Sequence, residues 1–313
     1  EILRCLVGSE MCIRDRKIYA AKGRPSDNPL IVHIAEFEAL NKIAAEIPEE
    51  AKMLADAFWP GPLTMIFQKT DLVPMGTTGG LNTVAVRMPD HPLAQALIRA
   101  GGGYVAAPSA NTSGRPSPTM ASHVEEDLDG KIDMILDGGP VGIGLESTIV
   151  DFTEEIPTIL RPGHITKNMI AKVIGTVQMD AGLSGLDQSV KPKAPGMKYR
   201  HYAPKASMTV IQGKKEAVIR RIEELAAEYP KEKVGILAAD ETLSCYTHGQ
   251  VVSAGSRNEH TIEQGLYRAL REFDHMGVSV IFSESFADDD RSEAIMNRLL
   301  KAAGQKIEYL SDK

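Results

Sequence analysis

The stretch Lys22-Gly-Arg24-Pro-Ser-Asp-Asn28-Pro-Leu30-Ile-Val-His33-Ile34 decides how the rest of the chain is read. Two cations two positions apart, with Gly between them and Pro after, make a stiff turn. Leu30 to Ile34 is a short apolar, β-branched run that reads as a strand. Such a turn can aim an ammonium and a guanidinium at one anion. Arg offers a planar fork suited to phosphate oxygens and Lys a point charge, and each charge-assisted bond contributes ~1.5–3 kcal/mol. Taken alone, the same letters also describe a solvated turn at a helix end.

Two amphipathic stretches follow, near Glu36 to Glu46 and Pro48 to Phe58, and Trp59-Pro-Gly-Pro62 stops the second. Strand-like runs recur at Leu63 to Phe67, Thr83 to Met88, Tyr104 to Ala107, Met134 to Leu136, Ser147 to Phe152 and Thr158 to Leu160. They outnumber the helical runs Pro92 to Ala100 and Ile165 to Ile174. That imbalance favours a mixed sheet over strict βαβ alternation. Residues 176–206 show little periodicity and carry Pro192, Pro195 and Pro204, with Lys191, Lys193, Lys198, Arg200 and Lys205 set against Asp180 and Asp187, so they read as a linker of local positive balance. Beyond it strands (Met208 to Gln212, Val234 to Ala238, Val251 to Ser253, Val278 to Phe282) alternate with helices (Lys215 to Glu228, Ile262 to His275, Ala294 to Ala303), the signature of a smaller α/β layer domain. The first sixteen residues fit neither period. The expected division is therefore an atypical segment 1–16, a catalytic domain 17–175, a linker 176–206 and a C-terminal α/β domain 207–313.

Composition limits the alternatives. The chain has 313 residues, 35 Lys+Arg against 42 Asp+Glu for a net charge of −7, and 43% hydrophobic residues, an ordinary globular mixture that excludes collagen, coiled coil and wholesale disorder. Net negative charge argues against coating long nucleic acid, while a local basic pocket for a small anion stays compatible. No apolar run approaches the ~18 residues of a spanning helix. Cys5, Cys12 and Cys245 form no C-x-x-C pair, and the expectation is a reduced cytoplasmic protein without a membrane partner.

Two further clusters carry chemistry. Ala107-Pro-Ser109-Ala-Asn111-Thr-Ser-Gly114-Arg-Pro-Ser117-Pro-Thr119 follows directly on a strand, where hydroxyls, an amide and backbone N–H groups can converge on an anion or nucleotide; it can also be simply a loop. Asp137-Gly-Gly-Pro-Val-Gly-Ile-Gly144-Leu-Glu-Ser147-Thr148-Ile-Val-Asp151 lets backbone pass close to a ligand and opens a strand at Ser147, but no phosphate-loop lysine motif occurs in the chain. Arg87 and Arg161 lie in apolar strands, where an arginine needs an anionic partner, either a ligand or an internal carboxylate. Neither a Gly-x-Ser-x-Gly elbow nor H-E-x-x-H is present. Asp288-Asp-Asp290 reads as a solvated loop.

In combination, Lys22-x-Arg24-Pro…Asn28-Pro-Leu-x-x-His33, Trp59-Pro-Gly-Pro-Leu-Thr64, Val-Arg87-x-Pro, Pro-Ser109-Ala-Asn111-x-Ser-Gly, Glu-Ser147-Thr148-Ile-Val-Asp and Leu-Arg161-Pro-Gly resemble the YrdC-like threonylcarbamoyl-adenylate synthases. The resemblance runs from about Lys17 to the end, and Pro195-Gly-Met-Lys198-Tyr199-Arg-His201-Tyr202-Ala-Pro ahead of an α/β domain is similar to the long, two-domain form. It implies a twisted mixed α/β sheet with flanking helices plus a smaller Rossmann-like domain. The implied reaction joins L-threonine, bicarbonate and ATP into threonylcarbamoyl-adenylate and pyrophosphate, with Mg²⁺ entering on ATP rather than on protein side chains, for modification of tRNA by a downstream threonylcarbamoyl-transferase. It implies further that Lys22, Arg24, Asn28, Thr83, Ser109, Asn111, Ser117 and Arg161 surround ATP. His33, Arg87, the Ala107 backbone and Ser147 hold threonine and its carbamate, and the linker residues Tyr199, His201 and Tyr202 close over the nucleotide. The chain departs from the family's pattern at its start, where a strand with Thr-x-Thr-x-Tyr-Gly-Leu is expected. Residues 1–16 read as a truncation scar or artefact in its place, which would open a sheet edge, leave the substrate pocket incomplete and impair activity. The rivals are a YrdC-like RNA-binding module without catalysis, and a carbamoyl transferase of hydrogenase maturation, whose zinc-finger cysteines are absent. Oligomeric state, monomer or dimer, is not legible.

Overall fold

The structure, a computed structural model, describes residues 9–184, 202–259, 261–287 and 292–311. In chain order its elements are α1 (Ser9–Lys22), β1 (Ile31–Ile34), α2 (Leu40–Ile43), α3 (Glu49–Phe58), β2 (Leu63–Gln68), β3 (Thr83–Arg87), α4 (Pro92–Ala100), β4 (Tyr104–Ala107), α5 (Ala121–Leu128), β5 (Thr148–Asp151), β6 (Thr158–Arg161), α6 (Lys167–Ile174) and β7 (Gln178–Met179). They continue with β8 (Ser207–Gln212), α7 (Lys215–Ala226), β9 (Val234–Ala239), β10 (Gln250–Gly255), α8 (Ile262–Met276), β11 (Val280–Glu284), α9 (Ser292–Ala302) and β12 (Ile307–Tyr309).

The first compact unit holds the described residues through 112 together with 130–133 and 146–184. Its sheet runs β4-β1-β3-β2-β5-β6-β7 and mixes parallel pairs (β1 with β3, β2 with β5) with antiparallel ones (β1 with β4, β2 with β3, β5 with β6). Strand alternation sorts its two faces. Val32, Ile34, Leu63, Met65, Phe67, Val84, Val86 and Val150 face one way and pack with Ala51, Leu54 and Ala55 of α3 and Ile170 of α6 into the main core. Only a small cluster, Ile31, Ile66, Ala85, Ile149 and Leu160, faces the other way. The second face therefore has room for polar residues.

The second unit holds residues 113–129 and 134–145 with the described residues from 202 on. Its sheet, β10-β9-β11-β8-β12, is parallel throughout. One face packs on Leu266, Leu270 and Phe273 of α8 and Leu299 of α9, the other on Val218, Ile222 and Ala226 of α7. That is the three-layer, Rossmann-like arrangement expected from the alternating pattern.

Several sequence expectations change. Residues 113–129 and 134–145, expected within the catalytic domain 17–175, group by contact with the second unit, where Asp127 of α5 pairs with Arg271 of α8. Met134 to Leu136 is not a strand: it finds no ladder partner, and Met134 and Leu136 are exposed. The helix expected over Glu36 to Glu46 is a 3-10 turn, Phe37–Ala39, followed by the four-residue α2. Residues 9–16, which show no period, form the front of α1, a helix whose apolar positions follow no single stripe. The linker 176–206 opens with β7 and a 3-10 turn at Ala181–Ser184. Tyr199, His201 and Asp288 to Asp290 lie outside the described residues. Among the described residues no helix is long and apolar enough to cross a membrane.

Leu54 is fully buried between α3 and the sheet, so Leu54→Ala should lower unfolding free energy by about 2–5 kcal/mol in urea titration. Leu136→Asn, at an exposed position, should stay within about 0.5 kcal/mol.

Candidate substrate site

The Lys22-Gly-Arg24 turn is a helix ending. Gly23 sits at φ 61° and its N–H bonds the Ala20 carbonyl at 3.2 Å, while the Arg24 N–H bonds the Tyr19 carbonyl at 2.9 Å, the paired bonds of a Schellman cap. Only a residue tolerant of the left-handed region makes this reversal cheaply, which is why Gly separates the two cations. The cap sends the side chains to different partners. Lys22 Nζ donates to the carbonyl oxygens of Ser109 and Asn111, with Asn111 Oδ1 at 3.4 Å. Arg24 folds back, Nε to the Asn28 carbonyl at 3.1 Å and a terminal nitrogen to the Pro29 carbonyl at 2.8 Å. Lys22 thus meets the Ser109 to Asn111 loop from 87 residues away, as the reading of both as one site requires.

A second group lies on the polar face of the first sheet. Register aligns Val105 with His33, His33 with Arg87, Arg87 with Thr64, Thr64 with Ile149, and Ile149 with Arg161. A register shift between Ile149 and Val150, where β5 meets β6, re-aims Arg161 into this row. Arg87 Nε donates to the Gly61 carbonyl at 3.1 Å, so the Trp59-Pro-Gly-Pro motif supplies the acceptor that fixes it. Arg161 donates to Ser147 twice, Nε to the carbonyl at 3.0 Å and a terminal nitrogen to Oγ at 3.2 Å. Ser147 Oγ also lies 2.7 Å from Thr64 Oγ1, both groups buried. Gly163 holds the close approach behind Ser147: a Cβ there would sit 2.5 Å from the Thr148 nitrogen and 2.9 Å from the Glu146 carbonyl.

The two groups adjoin. Ala107 pairs with Ile31, two residues and about 7 Å along β1 from His33, and the loop gripped by Lys22 begins just past Ala107. Among the described residues, two buried polar atoms here have no hydrogen-bond partner, Asn28 Oδ1 and His33 Nδ1. Burial, and then the neighbouring Arg87, push the His33 imidazole down to about 4. The Arg87 guanidinium is also held below its ordinary value, by burial and by Arg161, with Asp90 opposing. The face gathers positive charge around a neutral histidine.

Thr83 opens β3 on the same face as Arg87, four residues away, and Ser109 is exposed at the loop. Ser117 is buried in the segment that clusters with the second unit. Tyr202, expected in the lid, is buried in the second unit's core with its ring 5.1 Å from that of Tyr267 and the Arg298 guanidinium 5.9 Å away. Thr64 was quoted within its motif but given no role. Alternation from Leu63, whose side chain faces the core, puts Thr64 on the face of Arg87.

The family model "Telomere recombination" matches residues 3–163, and that of the threonylcarbamoyl-AMP synthase C-terminal domain matches residues 165–304. The chain belongs to the Sua5/YrdC family, in its two-domain form. The first match begins ahead of Lys17, so the family's pattern reaches into the segment that sequence reading had set apart. A threonylcarbamoyl-AMP synthase of Bacillus subtilis is 52% identical over 296 residues, covering 93% of this chain and 84% of that protein. One of Pyrococcus abyssi is 49% identical over 294 residues, covering 93% of this chain and 85% of that protein. The crystal structure of P. abyssi Sua5 complexed with L-threonine superposes with a TM-score of 0.89 at 48% identity, covering 95% of this chain and 86% of that one.

Because the His33 pKa is depressed from 6.5 to about 4, its neutral form favours the folded state, and the stability it contributes is complete above pH 6.5 and lost as pH falls toward 4. Thermal midpoints across pH 4 to 7 should show that slope in the unaltered protein and a flatter one in His33→Asn.

Proposed function

We propose that this chain is a threonylcarbamoyl-AMP synthase, which joins L-threonine, bicarbonate and ATP with release of pyrophosphate. The observation that carries the reading is the juxtaposition of two polar groups on one sheet: a lysine-gripped hydroxyl and amide loop, and beside it a row of His33, Arg87, Ser147 and Arg161. The family supports it, as do relatives of that name at about half identity over most of the chain.

The chemistry needs alignment and charge compensation rather than an enzyme nucleophile. The threonine amine adds to bicarbonate with loss of water to give a carbamate. A carbamate oxygen then attacks the α-phosphorus as the bond from that phosphorus to the bridging oxygen of the leaving pyrophosphate breaks. Arg87 is assigned to the threonine carboxylate, and His33, the Ala107 backbone and Ser147 to its hydroxyl and carbamate; the shared sheet face of His33 and Arg87 and the buried Thr64–Ser147 hydroxyl pair support the assignment. The cations also favour the uncharged, nucleophilic form of the amine. Lys22, Arg24 and Arg161, with Asn28, Thr83, Ser109, Asn111 and Ser117, are assigned to ATP. Magnesium, arriving as part of the MgATP substrate, screens the phosphate charge. Tyr199 and His201 belong to this proposal as a cover for the nucleotide, and the labile product passes to a transferase acting on tRNA.

Radiolabelled bicarbonate should enter an adenylate only when ATP and threonine are both present. Labelling independent of threonine, or tRNA binding with no labelling at all, would sink the reading in favour of an RNA-binding module. Lys22→Met should cost at least about 100-fold in kcat/KM, since it removes both a phosphate-directed charge and the grip on the loop.

Specificity follows from the hydroxyl pair. A site built to bond a hydroxyl can reject an isostere lacking it by up to ~10⁴-fold, whereas one methyl group is worth only ~1–3 kcal/mol, so serine should compete better than valine in pyrophosphate release. Thr64→Val removes one partner of Ser147 and should raise KM for threonine about 3- to 10-fold with KM for ATP unchanged.

A further inference from the structure

The chain that leaves the Ser109 to Asn111 loop does not stay with the first unit. From residue 113 to 129 it clusters with the second, and its fastening there is ionic. Arg271 of α8, fully buried, directs one terminal nitrogen to the Pro116 carbonyl at 2.7 Å and to Asp127 Oδ2 at 2.9 Å, and the other to Asp127 Oδ1 at 3.2 Å. Arg115 bonds the same Asp127 carboxylate and reaches Glu126 at 2.8 Å, with Asp274 of α8 at 3.6 Å. His275 meets Glu126 at 3.2 Å, and the Ala203 N–H bonds the Gly114 carbonyl at 2.9 Å. One carboxylate, Asp127, therefore takes two guanidiniums, and one of these also holds the backbone five residues past Asn111.

Buried ion pairs are weak devices for stability, because desolvation offsets most of the attraction; their geometric precision is what well-packed apolar residues lack. We propose that Arg271 is a positioning residue for the nucleotide loop: with Arg115 it anchors the chain leaving Asn111, and this clamp sets the affinity for ATP. The proposal rests on the assignment of that loop to ATP given above. Lys22 grips the loop at one end and the clamp at the other. With the clamp gone, the Pro-, Ser- and Gly-rich stretch between them is fixed at one end only. Nucleotide binding must then supply the cost of ordering it. Threonine is unaffected, since His33, Arg87 and Ser147 stand on or beside strands of the first sheet.

Removing Arg271 strands a buried carboxylate and can unfold the protein, so the test uses two milder changes. Arg115→Met deletes the more exposed half of the clamp. Arg271→Lys keeps the charge but loses the fork that spans Pro116 and both Asp127 oxygens. Each should raise KM for ATP about tenfold or more while KM for threonine moves less than twofold. In each, amide hydrogen exchange across residues 109–119 should quicken while β9 and β11 keep their protection. An unchanged KM for ATP, equal changes for both substrates, or unaltered exchange in residues 109–119 would overturn the clamp. Exchange is read without turnover, and the unaltered enzyme's labelling reaction tests the synthase reading separately.

Discussion

Side chains alternate along a strand, and once β1, β3, β2, β5 and β6 pair in the observed register, His33, Arg87, Thr64, Ile149 and Arg161 are obliged to share a face. Nearly everything about the candidate site depends on that register. A slip of one residue in β3 would exchange Arg87 for Val86, bury a guanidinium in the main core and expose a valine. The core enforces the register from the opposite side, since Val32, Val84, Val86, Met65 and Val150 must all meet α3 and α6. The reactive face is thus specified by the apolar one. Its polar residues are placed with the precision of a sheet, without side-chain ordering of their own.

The parts of this arrangement that sequence reading reached are the local ones. Lys22-Gly-Arg24 reads as a turn because a glycine between two cations is a helix ending, and the Schellman bonds at Gly23 are its physical form. The Ser109 and Asn111 loop reads either as an anion site at the mouth of a strand or as simply a loop, and Lys22 meets its backbone there. Thr64 was legible in principle, since a residue between core-facing Leu63 and Met65 must face Arg87's side of the sheet. Met134 to Leu136 misled because an apolar triplet states only a propensity, and a strand needs a neighbour to bond. The attachment of residues 113–129 was beyond reach: Asp127 and Arg271 are 144 positions apart, and nothing in a carboxylate on a short helix names its partner. Tyr202 shows the same limit, since a tyrosine in a basic linker gives no sign that its ring belongs against Tyr267.

The strand arginines Arg87 and Arg161 admitted two readings from sequence, ligand holder or half of an internal ion pair, and their contacts differ from those of Arg271 on α8 and of Arg115 in the loop before α5. Arg271 and Arg115 converge on Asp127, whose carboxylate offsets their charge, and the result is a neutralised, rigid joint. Arg87 bonds the Gly61 carbonyl and Arg161 bonds the Ser147 carbonyl and hydroxyl. Uncharged acceptors orient a guanidinium without cancelling its charge. Two arginines oriented in this way also repel each other, which is why Arg161 and burial both depress Arg87. The histidine of the row stays neutral chiefly because it is buried, and next because Arg87 stands beside it. A third positive charge beside Arg87 would add to the repulsion, whereas an uncharged imidazole can still donate from one ring nitrogen and accept at the other.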